Sequence, residues 1–208
     1  ASGYIVTDSL HTTHGRALPF ATGVKLSNPD LNVVVFTGDG DLAAIGGNHF
    51  IHACRRNIDL TVICMNNQIY GMTGGQGSPT TPAGALSTTT PYGSSEPAFD
   101  LSELAVAAGA NFVARWTSYH VKELTRAIGA GMRTPGLSFI ETMTQCPTNY
   151  GRRNKLRQVT DQVEFMKNHT ALRQKLDRMR ESGQKVPTDI IAIGEFVRRD
   201  RPAMGVRR

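Results

Sequence analysis

Short apolar runs alternate with longer mixed stretches along this chain, and the alternation predicts strands and crossover helices in turn. Val33-Val34-Val35-Phe36 is a compact β-branched and aromatic run closed by Thr37-Gly38, the composition of a buried parallel strand. Residues 42–57 are long enough for a crossover helix, and Leu60-Thr61-Val62-Ile63-Cys64-Met65 is the second strand. Residues 71–97 are rich in Gly, Ser, Thr and Pro and read as an ordered loop beside a site, with a flexible connector as the other reading. Asp100 stands where a cap would precede a helix over 101–108. Residues 111–114 predict a strand, Ser118 a cap for a helix reaching Gly131, and residues 137–143 a further strand. Residues 161–181 have the composition of one helix, with Val163, Met166, Leu172, Leu176 and Met179 on its apolar face. Residues 190–197 predict a terminal extended segment. This βα alternation points to an α/β fold, a doubly wound parallel sheet with flanking helices.

Composition narrows the class. The 208 residues suffice for one full core, and no run is long enough to span a membrane. The first residues lack the basic end and apolar core of a signal peptide. Three cysteines, Cys54, Cys64 and Cys146, stand far apart without a CxxC, which suits a reducing, cytoplasmic setting. Cys54 and Cys64 read as small core residues. Charge is uneven. Residues 1–150 carry 8 basic and 10 acidic side chains, a net −2, while residues 151–208 carry 15 and 7, a net +8. The chain therefore divides into an α/β domain over 1–150 and a basic, helical extension over 151–208, packed on that domain or on a partner subunit. Nucleic-acid binding lacks support, since no aromatics interleave with the basic residues.

The candidate chemistry lies at the strand ends. Gly38-Asp39-Gly40-Asp41 follows the first strand, and Asn66-Asn67 follows the second. Open α/β sheets bind ligands at such carboxyl ends. An acid oxygen, an amide oxygen and a backbone carbonyl are hard ligands suited to magnesium, which commonly also holds phosphate oxygens. Turn glycines at a helix start expose amides to phosphate. The same glycines match the short dinucleotide pattern, but that reading needs an acid where Asn66-Asn67 stands. A plain tight turn with two solvated asparagines is the remaining alternative.

Gly-Asp-Gly followed after 25 residues by Asn-Asn resembles the signature of thiamine-diphosphate enzymes. That resemblance implies a diphosphate-binding half-site. Asp39, Asn67 and the Ile69 carbonyl would ligate Mg2+, while Gly38, Asp39, Gly40 and Asp41 would line the diphosphate. Gly71 and Met72 would approach the thiazolium.

Wider motifs point to a closer family. These are His11-Thr12-Thr13-His14-Gly15-Arg16 before the first strand, Gly46-Gly47-Asn48-His49, Ile69-Tyr70-Gly71-Met72-Thr73-Gly74-Gly75-Gln76, Ser78-Pro79-Thr80-Thr81 and Gln145-Cys146-Pro147-Thr148-Asn149. Over roughly residues 5–200 they resemble the β subunit of 2-oxoacid:ferredoxin oxidoreductases, most of all the 2-oxoglutarate branch. The resemblance implies coenzyme A-dependent oxidative decarboxylation of a 2-oxoacid, or its reverse, with electrons passing through iron–sulfur clusters to ferredoxin. It implies an α subunit that carries the cofactor-activating glutamate, and an assembly of two αβ units. It makes Cys146 one of four ligands to a [4Fe–4S] cluster, the other three lying on a segment upstream of Ala1. Gly74 stands where many members carry lysine, so Arg16 becomes a candidate carboxylate clamp. A histidine of the His11–His14 segment would lie near the cofactor. Without the resemblance, His11 and His14 read equally well as loop or capping residues.

The remaining histidines suggest no site. His49 and His52 share a helix face without a third ligand and read as packing, and His120 and His169 as surface residues. Two rivals stay open: a non-redox thiamine-diphosphate carboligase, and a non-catalytic partner-binding domain.

Overall fold

The computed structural model describes residues 4–204. The chain opens with α1 (Ala17–Ser27), β1 (Val34–Gly38), a π-helical turn (Asp41–Ile45), α2 (Gly47–Arg56) and β2 (Thr61–Asn66). A small hairpin, β3 (Ile69–Tyr70) and β4 (Gln76–Gly77), leads through the long loop to α3 (Leu101–Ala108), β5 (Phe112–Thr117), α4 (Val121–Arg133) and β6 (Ser138–Met143). A second π-helical turn (Pro147–Gly151) precedes α5 (Val159–Asn168), β7 (Thr170–Leu172), α6 (Arg173–Glu181) and β8 (Ile191–Arg198).

The main sheet has the order β1-β2-β6-β5-β8-β7. β1, β2, β6 and β5 run parallel, β8 is antiparallel to β5, and β7 is parallel to β8. The mostly parallel, doubly wound architecture matches the sequence expectation. Alternating residues of the strands serve two cores, as the period of two demands. Val113 and Phe139 pack with Phe50 of α2 and Leu101 of α3, and the Phe50 and Phe139 ring centroids lie 4.9 Å apart. Phe112, Ala114 and Ile140 pack with Ala127 of α4. At Gly131 of α4 a Cβ would sit 2.8 Å from Ile140 Cδ1, so a larger residue there would make Ile140 shift.

Four local expectations need correction. The first strand is not wholly buried: β1 forms the sheet edge, and Phe36 is half exposed. The crossover helix is interrupted where the Gly46 amide bonds the Asp41 carbonyl five residues back. Ser118 does not cap α4; its hydroxyl donates to Gln145 Oε1 at 2.7 Å, and His120 occupies the cap position. Residues 161–181 are two helices separated by a strand. The Thr170 hydroxyl returns to the Met166 carbonyl at 2.9 Å, and Thr170–Leu172 pair with Ile191–Ile193 of β8. A β-branched residue with a strand partner overrides helical composition there, and Leu172 is exposed instead of facing a core. The Asp100 cap is present, accepting from the Glu103 amide at 2.9 Å.

The edge of the sheet opposite the candidate site is stitched by Asn57, in left-handed conformation at φ 53°. Its Nδ2 donates to the Pro202 carbonyl at 2.9 Å and the Arg201 carbonyl at 3.3 Å, and its Oδ1 accepts from the Leu137 amide at 2.9 Å. Arg199 and Arg201 donate to carbonyls at the end of α3 and just beyond it.

Candidate cofactor site at the carboxyl edge of the sheet

β1 and β2 are neighbours in parallel register, with Gly38 opposite Met65. The residues that follow them, Asp39 and Asn66-Asn67, therefore emerge side by side. Asp39 is buried. Its Oδ2 accepts from the Ser78 hydroxyl at 2.5 Å and the Thr80 hydroxyl at 2.7 Å. Burial pushes the Asp39 carboxyl up, opposed by those two hydroxyls and by the backbone amides of Asp39 and Asn67. A buried carboxylate that pairs with no basic side chain among the described residues suits a cation, whose charge would offset the desolvation.

Asn66 and Asn67 divide the work. Asn66 is buried, and its Nδ2 donates to Glu141 Oε1 at 2.7 Å. Its Oδ1 accepts from the Gln68 amide at 3.0 Å and faces the Thr80 hydroxyl at 3.1 Å. Asn67 is partly exposed, and its Oδ1 accepts from the Ile69 amide at 3.3 Å. Gln68, between Asn67 and Ile69, has φ 63°, which turns the chain back into β3. Glu141 also accepts from Ser102 Oγ at 2.6 Å and Arg115 Nε at 2.8 Å. Arg115 in turn pairs with Asp100 and lies 5.0 Å from the Phe196 ring centroid.

The turn glycines behave differently from one another. A Cβ at Gly38 would meet nothing within 4 Å, so open space borders the turn. A Cβ at Gly40 would lie 2.3 Å from the Tyr70 ring. The Asp41 carboxylate is taken up by the protein itself: its Oδ1 accepts from the Gly15 amide at 2.6 Å and lies 2.8 Å from His14 Nδ1, while Oδ2 accepts from Thr37 at 2.6 Å. This anchors the histidine segment to the site. The His14 and Tyr70 ring centroids are 6.2 Å apart. Arg16 donates to the Gly15 and Ile45 carbonyls, at 3.3 Å each. His11 is exposed in the segment before α1.

On the other side, the Gly71 carbonyl accepts from Asn149 Nδ2 at 2.8 Å. A Cβ at Gly71 would lie 3.5 Å from Asn67 Nδ2 and 3.6 Å from Cys146 Sγ, so Cys146 borders the same region. Met72 is fully exposed. Cys54 and Cys64 are sealed in the core, where burial pushes the Cys54 thiol up to about 12 and Cys64 well above its usual value. Neither suits a thiolate ligand. Among the described residues no three His, Cys, Asp or Glu side chains gather to hold a metal, so a four-thiolate cluster does not form from these residues alone.

His120 and His169 depart from the surface reading. His120 Nδ1 lies 2.8 Å from the Thr117 hydroxyl beside Trp116 and Tyr119, and burial lowers its pKa. His169 stacks on Phe165 at 4.1 Å. His52 accepts from Arg55, in keeping with packing.

The geometry has parallels in known proteins. Residues 1–142 match the family described as thiamine pyrophosphate enzyme, C-terminal TPP binding domain. Over 202 residues the chain is 57% identical to a 2-oxoglutarate synthase subunit KorB of Methanothermobacter marburgensis, covering 97% of this chain and 70% of that one. The chain belongs to the 2-oxoacid:ferredoxin oxidoreductase β-subunit family. A family member from Methanocaldococcus jannaschii, also a 2-oxoglutarate synthase subunit KorB, is 56% identical over 96% of this chain and 73% of its own. A solved 2-oxoglutarate:ferredoxin oxidoreductase from Magnetococcus marinus, with 2-oxoglutarate, coenzyme A and succinyl-CoA bound, is 32% identical with a TM-score of 0.79. That match covers 93% of this chain and 66% of the solved one. The thiamine-binding fold expected from the sequence is thus the fold of the family.

Asp39, Asn67 and Ile69, expected from the sequence as neighbours, adjoin at the strand ends with Gly40, and Gly71 lies between Asn67 and Cys146, which the sequence had not joined to this region. Sequence reasoning missed the parts of Ser78, Thr80 and Glu141. The Ser78-Pro79-Thr80-Thr81 motif was the available signal, without a role attached.

Proposed function

We propose that this chain is the thiamine-diphosphate-binding subunit of a 2-oxoglutarate:ferredoxin oxidoreductase, working with an α subunit in an assembly of two αβ units. One observation carries the reading: buried Asp39 lies beside the Asn66–Ile69 turn at the ends of two adjacent parallel strands, with open space at Gly38. Thiamine diphosphate would supply the electron sink for decarboxylation of a 2-oxoacid or for the reverse carboxylation. Asp39, Asn67 and the Ile69 carbonyl would hold Mg2+, an arrangement of hard oxygen donors. Amides of the Gly38–Asp41 turn would meet the diphosphate, and Asp41 would act by fixing His14 and Gly15. Gly71 and Met72 would face the reacting end of the cofactor. His11 and His14 would sit beside the reaction, His14 held by Asp41. Arg16 would read the distal carboxylate of the substrate. Cys146 would give one thiolate to a [4Fe–4S] cluster completed by ligands beyond residues 4–204. Ferredoxin and coenzyme A would be the redox and acyl partners. The exposed basic side chains of residues 152–201 would offer a surface for the partner subunit or for these anionic partners. Three free cysteines suit a cytoplasmic enzyme.

The complex is tested anaerobically for coenzyme A-dependent ferredoxin reduction with 2-oxoglutarate and then with pyruvate. Reduction with 2-oxoglutarate alone is expected. Preference for pyruvate would retain the reaction and overturn the substrate. Asp39→Ala should abolish magnesium-dependent thiamine diphosphate binding, and full retention would remove Asp39 from the site. Arg16→Ala should raise KM for 2-oxoglutarate more than for pyruvate.

A further inference from the structure

We infer that Glu141 is a positioning residue for the cation end of the site, acting through the side-chain amide of Asn66. The inference rests on the thiamine-diphosphate reading above and concerns residues that touch neither cation nor cofactor.

An ionised carboxylate only accepts hydrogen bonds, whereas an amide side chain can present either end. Glu141 Oε1 faces Asn66 at 2.7 Å, so the NH2 end of Asn66 must point to it. That choice fixes the oxygen end toward the Gln68 amide (3.0 Å) and the Thr80 hydroxyl (3.1 Å). The first of these bonds holds the turn in which Gln68 has φ 63°, an unfavourable conformation for a non-glycine residue. The turn carries Asn67 and leads directly to Ile69. The second is weaker, because the single Thr80 hydroxyl proton is shared with Asp39 Oδ2, which lies closer at 2.7 Å. One orientation of Asn66 thus holds the turn that carries two of the three proposed cation ligands, and borders the hydroxyl that holds the third. A flipped amide would turn its NH2 onto the Gln68 amide, donor against donor.

Glu141 is itself held on both oxygens. It is buried, and its second oxygen accepts from Ser102 at 2.6 Å and Arg115 Nε at 2.8 Å. Arg115 is buried too, and reaches Asp100 and the Ala192 carbonyl. A rigid, charged acceptor behind a neutral amide fixes ligand geometry before any cation arrives, the kind of support that metal sites draw from groups beyond their ligands.

The test uses the complex with its partner subunit and Mn2+ as the probe. Electron paramagnetic resonance gives the dissociation constant of Mn2+ in the presence of thiamine diphosphate, and thermal unfolding is followed in parallel. Glu141→Gln and Asn66→Asp should each weaken Mn2+ binding by about tenfold, the worth of one charge-assisted hydrogen bond. Ser138→Ala, which removes a buried bond from Ser138 to the Gly131 carbonyl at the other end of the same strand, should lower Tm without moving Mn2+ affinity. If Glu141→Gln does not fold, Asn66→Asp decides. Wild-type Mn2+ affinity in whichever of the two folds would overturn the inference. An equal loss of affinity in Ser138→Ala would overturn it as well, by making the effect general instability. If the wild-type complex binds no Mn2+ with thiamine diphosphate, the functional reading itself fails, a different and separately visible result.

Discussion

Tyr70 and Gly40 are in contact across the mouth of the site. The Tyr70 hydroxyl donates to the Gly40 carbonyl at 3.2 Å, and a Cβ on Gly40 would fall 2.3 Å from the Tyr70 ring. Gly40 has ordinary right-handed helical angles, φ −68° and ψ −36°, so its need for glycine comes from this approach and not from its backbone. Gly40→Ala should cost about 1–3 kcal/mol through overpacking, a Tm drop of several degrees. Adding Tyr70→Ala to Gly40→Ala should relieve the clash, so thermal unfolding of the double variant should show less than the summed loss. Strict additivity would show that the two residues do not meet.

Asp41 ties the histidine segment down. Asp41→Ala would leave the Gly15 amide without its acceptor, at about 1–3 kcal/mol, and the Thr37 hydroxyl with only the longer contact to the Gly38 carbonyl at 3.3 Å. It would also release His14. Hydrogen exchange of residues 11–16 should accelerate in this variant while exchange in β2 and β6 stays slow. Unchanged exchange at Gly15 would contradict the tether.

Arg115 sits between two carboxylates. Removing it strands buried Glu141, so Arg115→Met should cost roughly 3–5 kcal/mol, as for other broken buried pairs. Combining it with Glu141→Leu removes the orphan charge, and the pair should recover part of that loss in a denaturant-based double-mutant cycle. Stability as low as the sum of both singles would argue against their coupling.

Asp100 gives the fold an acid limit. Burial pushes its carboxyl up, but the Arg115 charge and hydrogen bond, with the Glu103 and Ser102 amides, outweigh this and hold the pKa below the usual value. A depressed folded-state pKa stabilises the fold above the unfolded value, about 3.9. That contribution is lost as pH falls through the folded pKa. Stability should therefore decline on acidification below about pH 4, and Asp100→Asn should show a flatter decline over that window. The check is Tm measured between about pH 3 and 6 for both proteins; identical slopes would exclude Asp100 as a contributor.

The elements legible in the sequence were those whose cause is local. The apolar run at 33–36 sits between a turn and Gly38, and Asp100 is three residues from the amide it caps. The Asp39 and Asn66-Asn67 pairing was legible because a βαβ unit brings the ends of consecutive strands together. What stayed hidden depends on distant partners. Ser78 and Thr80 reach Asp39 from 39 and 41 residues away, and Glu141 reaches Asn66 from 75. The helix predicted over 161–181 failed for the same reason. Its break is made by β8, some twenty residues downstream, and no property of Thr170 alone announces it.

Asn57 bears on how this protein would age. Deamidation would turn its two-proton donor into a carboxylate facing the Arg201 and Pro202 carbonyls, repelling both where it had joined them. The lesion would lie at the opposite edge of the sheet from Asp39, a strand's length of about 17–20 Å away. Wear at Asn57 should therefore appear in stored material as lost fold stability before any loss of cofactor affinity, and peptide mapping against Tm would reveal that order.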